Sequence, residues 1–192
     1  MLSDTLGSDM LPSFLYTQSH MAKILLLIAQ EGFQTKEYHD PKRVLEAAGH
    51  IVITASVGGG TAISNINETT PVDLALSDVH VEDYDAVFVV GGPGAPISLD
   101  NEETARIMKE AEARKGMPYG AICISPRILA KAGVLQGKKA TGWNNDEKLE
   151  EFFKKHGVHY ERAPVVIDGR VVTADGPMSA EAFGEAILKV LS

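Results

Sequence analysis

The sequence predicts an α/β fold, a mostly parallel β-sheet flanked by helices with a small β-hairpin added. Three observations lead there. Short runs that are apolar on both faces, such as residues 23–29 and 85–90, have the composition of strands buried inside a parallel sheet. Segments of helical periodicity alternate with those runs along the chain. Asp168-Gly169, between two β-branched stretches, is a two-residue hairpin signal.

Taken in order, residues 23–29 are the first strand, too short for a helix. Residues 41–48 follow as a helix with Val44, Leu45 and Ala48 on one face, and Gly49 stands where that helix should stop. Residues 50–56 are a second β-branched strand, which completes a βαβ unit. Gly58-Gly-Gly60 reads as a turn. Residues 85–90 form a third strand running into Gly91-Gly92. Asn101 can cap a helix reaching Glu112. Residues 118–122 are a fourth strand ending at Cys123, followed by a helix over 125–132 and another over 146–155. The hairpin spans 165–173, and a last helix spans 179–191.

Composition narrows the function classes. The chain has 192 residues, and 18 basic against 26 acidic side chains leave a net charge of −8. With no basic block, it is a poor match for nucleic acid or anionic lipid. Its longest apolar run, Ile24 to Ala29, is six residues, too short to span a bilayer. Cys123 is the only cysteine, so no internal disulfide or multi-cysteine zinc site can form. A reducing cytosol fits that usage. Residues 1–20 hold Asp4 and Asp9 but no Lys or Arg, unlike a targeting peptide. They are expected to be an extension, disordered or left from cloning, ahead of a single domain over 21–192.

Ligands in open α/β sheets bind beyond the carboxyl ends of the strands. Cys123 ends one strand there and begins a helix, the tight turn that exposes a nucleophile. The helix N-terminus is expected to hold its pKa below that of a free cysteine. A lone cysteine is more often a small buried hydrophobe, and the elbow position is what sets this one apart. Gly91-Gly92 either makes a plain turn or brings backbone N–H groups to a substrate oxygen. Glu37, in a polar stretch after the first strand, is by itself an ordinary solvated glutamate. No HxxxH or HExxH spacing is present, and no metal is expected.

The ordered set Glu37 four before Pro41, Glu46-Ala-Ala-Gly-His50, Asp83-Tyr-Asp85 ahead of Gly91-Gly92, Ala121-Ile-Cys123, Leu129-Ala-Lys-Ala-Gly133 and Gly176-Pro177 resembles the ThiJ/PfpI superfamily. The resemblance covers nearly all of the chain from Lys23 onward. It implies a flavodoxin-like, amidotransferase-like sandwich, no cofactor, and a homodimer or larger assembly acting on a small molecule. It implies that Glu37 hydrogen-bonds Cys123 and that the backbone N–H groups of Gly92 and Ile124 form an oxyanion hole. Gly91, His39 and Trp143 are expected to border the substrate pocket.

Departures from the family pattern bear on the reaction. The peptidase-like branch has a histidine directly after the cysteine, where this chain has Ile124, and takes an acid from the segment 93–99, which here holds no carboxylate. The deglycase branch has a histidine near Thr141, where this chain has Trp143, and the family's arginine before the late Gly-Pro is replaced by Asp175. His39 is the nearest substitute in sequence. Three readings follow: a glyoxalase or deglycase-like enzyme using a Cys–Glu pair on reactive carbonyls, an oxidative-stress sensor whose cysteine becomes a sulfinate, and an intracellular cysteine peptidase weakened by the missing histidine and acid.

Overall fold

The structure is a computed structural model describing residues 21–191. In chain order its elements are β1 (Lys23–Leu27), β2 (Glu31–Phe33), α1 (Thr35–Ala47), β3 (Ile51–Ser56), β4 (Gly60–Ser64), β5 (Thr69–Val72), β6 (Leu74–Ala75), β7 (Ala86–Val89), α2 (Ala95–Ser98) and α3 (Glu102–Ala113). There follow β8 (Tyr119–Ile122), α4 (Pro126–Ala132), β9 (Lys139–Ala140), α5 (Leu149–Lys155), β10 (His159–Tyr160), β11 (Val165–Asp168), β12 (Val171–Ala174) and α6 (Ala180–Leu191). The main sheet has seven strands in the order β11-β12-β8-β7-β1-β3-β6. Every neighbouring pair is parallel except β11 with β12. The expected hairpin therefore forms, and β12 carries it onto the edge of the main sheet.

The strands are apolar throughout because both sheet faces are covered. Leu25 and Leu27 of β1 point into one core with Ile107 and Met108 of α3, Leu129 of α4 and Phe153 of α5. Ile24 and Leu26 point into the other, with Leu45 of α1 and Phe183 and Ile187 of α6. The period-two alternation of a strand thus divides one apolar run between two layers. Phe88 meets Phe183 edge to face at 5.6 Å, pinning α6 to the sheet centre.

Several boundaries differ from expectation. The first helix starts at Thr35, six residues before Pro41, because the Gln34 side chain accepts hydrogen bonds from the N–H groups of Lys36 and Glu37. Glu37 is therefore in the first turn of α1 rather than ahead of the helix. The helix expected from 146 starts at Leu149, since Asp146 is turned toward Arg127. A small sheet, β2-β4-β5, was not anticipated. Of the aromatics between 146 and 160, Phe153 is buried and Phe152 and Tyr160 are half-buried, so they offer no exposed aromatic contact face. No helix among the described residues is long and apolar enough to cross a membrane. The expectation for residues 1–20 lies outside the described residues.

Candidate active site

The site forms where β7 and β8 end beside the start of α1. Gln34 donates its backbone N–H to the carbonyl of Gly91 at 3.1 Å, tying the helix start to the loop after β7. In the first turn of α1, Glu37 is directed inward and fully buried. A Cβ at Gly91 would lie 2.5 Å from Glu37 Oε2 and 2.6 Å from Cys123 Cβ. Only glycine lets the carboxyl and the thiol crowd over this backbone. Gly92 has φ 114 and equally little room: a Cβ there would lie 2.4 Å from the Gln34 nitrogen.

Cys123 has φ 64, a left-handed conformation uncommon for a side chain of its kind. The surroundings hold it there. Its N–H donates to the Ala174 carbonyl at 2.9 Å, and its own carbonyl accepts the Trp143 N–H at 2.7 Å. Two residues on, the buried Ser125 hydroxyl donates to the Val90 carbonyl at 2.8 Å. The sulfur faces the backbone N–H groups of Gly92 and Ile124, which both act on it.

Burial pushes the Glu37 carboxyl up to about 7, opposed by the Cys123 thiol and the Gly91 N–H and reinforced by the charge of Asp175. Neither Glu37 oxygen has a well-aligned hydrogen-bond partner among the described residues, so these two opposing contacts stabilise the charge only weakly. The Cys123 thiol is also pushed up, by burial first and then by the Glu37 charge, against the two N–H donors. This reverses the lowered value expected from the elbow: the thiol is nearly buried, and its close neighbour is an acid. Two negative charges are disfavoured in this space, so the pair holds at least one proton around neutral pH.

A cavity of about 360 Å³ opens over the pair. Pro93, Pro96, Ile124, Trp143 and Pro177 form its apolar walls, and Gln34 and Gly92 reach its edge. Of the residues singled out in the sequence, Cys123, Glu37, Gly92, Ile124 and Trp143 come together here. Gly91 lies beneath the pair rather than along the cavity. His39 is not brought to the site. It is exposed, its ring sits 4.8 Å from that of Tyr38, and it borders a separate charged hollow with Asp40, Arg43 and Glu46. Two helical residues in sequence turn through about 200°, which sends His39 away from the side Glu37 occupies. Among the described residues, no histidine lines the cavity, and no group of three His, Cys, Asp or Glu side chains could hold a metal ion.

Sequence reasoning missed Arg127 and Asp146. The Arg127 guanidinium forks onto both Asp146 oxygens at 2.9 and 2.6 Å and lies 5.6 Å from the centre of the Trp143 ring. Nineteen residues separate the two charges, and no local pattern signals such a pair. It also missed Gln34, whose polar side chain just ahead of the helix was the available cue.

The chain has relatives among known proteins. The family model described as DJ-1/PfpI matches residues 22–190. The protein MJ0967 of Methanocaldococcus jannaschii is 38% identical over 171 residues, covering 88% of this chain and 82% of its own. The deglycase TK1284 of Thermococcus kodakarensis is 31% identical, covering 87% of this chain and 98% of its own. The crystal structure of a ThiJ/PfpI domain protein from Brachyspira murdochii superposes with a TM-score of 0.82 at 29% identity, over 89% of this chain and 96% of that one. The buried acid, the elbow cysteine and the sheet that presents them thus belong to a chain that is a member of the DJ-1/PfpI family.

Proposed function

We propose that this chain is a cofactor-independent enzyme acting on small reactive carbonyls, of the glyoxalase or deglycase kind, with Cys123 as nucleophile and Glu37 as proton carrier. The observation that carries this reading is the packing of a buried, poorly satisfied carboxyl against the elbow thiol at the floor of one open cavity. With the proton on Glu37, the thiolate is faced by the N–H groups of Gly92 and Ile124 and no longer by a carboxylate. Sγ then attacks the aldehyde carbon of a 2-oxoaldehyde. The S–C bond forms, and the carbonyl π electrons go to oxygen, which takes a proton to give a hemithioacetal. Those two N–H groups stabilise the oxyanion as it develops. Glu37, as carboxylate, next takes the hydrogen on that carbon as a proton. It returns that proton to the neighbouring carbon while the hydroxyl proton of the first carbon passes to the oxygen of the second, which oxidises the first carbon and reduces the second. Water cleaves the resulting thioester, releasing a hydroxy acid and the free thiol. A carboxyl with a pKa of about 7 suits both halves of this exchange.

The peptidase reading is disfavoured, because acylation needs a base beside the thiol and a proton for the leaving amine. Ile124 stands at the first position, and among the described residues no histidine lines the cavity. The sensor reading uses the same pair, with a peroxide as the oxidant of Cys123. Turnover separates them. Purified protein is given methylglyoxal, and loss of the dicarbonyl and formation of lactate are followed. Saturable turnover, lost in Cys123→Ser and Glu37→Gln, is expected. Consumption of one equivalent per chain, or an unchanged rate in Cys123→Ser, overturns the enzyme reading. We further propose a homodimer or larger homo-oligomer, which a monomer mass by light scattering at micromolar concentration would overturn.

A further inference from the structure

The cavity over Cys123 has a chemical bias that the carbonyl reading alone does not supply. Its walls are prolines, Ile124 and the Trp143 ring, and among the described residues no Lys, Arg or His lines it. Its ionisable groups, Glu37 and Cys123, are neutral or negative, and the charge of Asp175 reaches Glu37 as well. An anionic substrate would lose its hydration here and gain no cation. At about 360 Å³ the space is large for a three-carbon dicarbonyl and suits a compound with a ring.

Trp143 is held more firmly than an open loop would hold it. Its backbone N–H donates to the Cys123 carbonyl at 2.7 Å, and its backbone carbonyl accepts from Arg127 Nη2 at 3.4 Å. The Arg127 guanidinium packs on the indole, and both of its terminal nitrogens are fixed by Asp146. The Trp143 backbone is thus tied to that of the nucleophile, and the Arg127 guanidinium backs its ring.

We propose that the cavity selects carbonyl compounds with an uncharged apolar substituent, aromatic in preference, and that Trp143 sets this preference with Arg127 as its positioning residue. The choice of substrate rests on the carbonyl reading above; the binding preference does not. The same lack of cations favours release of the product, since the hydroxy acid leaves as a carboxylate from a site that carries acidic groups of its own.

Two arms test this. In the first, wild-type protein is given phenylglyoxal, 4-carboxyphenylglyoxal and methylglyoxal. kcat/KM for phenylglyoxal is expected to exceed each of the others by about tenfold or more. Trp143→Ala should remove most of that advantage over methylglyoxal, mainly through KM, and Trp143→Phe should keep most of it. Arg127→Met should raise KM for phenylglyoxal by more than it lowers kcat. In the second arm, Trp143, the single tryptophan of the chain, reports binding by its fluorescence. Cys123→Ser protein is titrated with acetophenone and with mandelate. A saturable change with acetophenone and none with mandelate over the same range supports the proposal. Equal responses, no response to either, or a preference for methylglyoxal or the carboxylated compound overturns it. If no carbonyl is turned over but acetophenone is bound and mandelate is not, the reaction reading falls and the selectivity stands.

Discussion

Two carboxyl groups near the cysteine elbow behave in opposite ways. Asp146 is 28% exposed and gripped by the Arg127 fork, whose hydrogen bonds hold its pKa below the usual carboxylate value. Glu37 is fully buried, lacks a well-aligned partner and is pushed up to about 7. Burial leads at Glu37, against weak opposition from the Cys123 thiol and the Gly91 N–H; at Asp146 the Arg127 hydrogen bonds lead and burial opposes them. A guanidinium turns one carboxylate into a fixed strut behind Trp143. A thiol, which prefers its own proton in the same space, leaves the other carboxyl free to exchange protons at neutral pH.

The largest effect should come from removing that exchange. Glu37→Gln keeps the shape of the side chain and cannot carry a proton. Turnover should fall by about 10²–10⁴-fold, the range for a well-placed acid or base. The alkylation of Cys123 by iodoacetamide should meanwhile shift to lower pH, because the carboxylate charge that pushes the thiol up is gone. A thiol that titrates more easily in an inactive variant separates proton carriage from activation of the sulfur. In wild type, kcat/KM should rise with pH through a midpoint near 7, as the pair loses its first proton. An unchanged thiol titration in Glu37→Gln would mean that the two groups do not interact.

Folding stability gives the second way to sharpen the contrast. The native Glu37 carboxyl, at about 7 against an ordinary 4.5, binds its proton more tightly than the unfolded chain does. Its contribution is fully present below about pH 4.5 and is lost as pH rises through 7. The difference corresponds to roughly 3 kcal/mol between acid and alkaline conditions. Denaturant unfolding of wild type minus Glu37→Gln, measured from pH 4.5 to 8, isolates that slope. Parallel curves for the two proteins would place the charged carboxyl in a better solvated position than the structure gives it.

How much of this was legible in the sequence follows from the range of the forces involved. The strands 23–27 and 86–89 announce themselves because burial on both faces leaves only apolar residues, a signal contained in a few neighbours. The elbow is local too, since a strand, Cys123 and a helix with proline at its first position lie in sequence together. The start of α1 was misread because Pro41 is an attractive first helical residue, whereas the actual cap is the Gln34 side chain. That misreading placed His39 beside Glu37; the helix places it on the outside. The small sheet β2-β4-β5 escaped because its strands are three to five residues long, the turn at residues 65–68 holds no glycine or proline, and β2 joins β4 by a distant crossover. The Glu37–Cys123 pair itself came from family resemblance. Its residues are far apart in the chain, and no periodicity joins them.

The smallest expected effect lies on the other carboxyl. Asp146→Asn removes a charge-assisted fork from Arg127, whose Nε is already buried without a partner. The pair is partly open to water, which screens it, so the loss at neutral pH should be about 1 kcal/mol. Because the native pKa is lowered, this contribution is present above the ordinary carboxylate range and is lost as pH falls through the native value. Its pH window thus lies on the acid side of the one governed by Glu37. Unfolding midpoints of wild type and Asp146→Asn should differ at pH 7 and converge toward pH 2, while the activity midpoint near 7 stays in place. If Asp146→Asn moved that activity midpoint as Glu37→Gln moves the thiol, the two carboxyls would belong to one coupled network and the division between strut and proton carrier would be wrong.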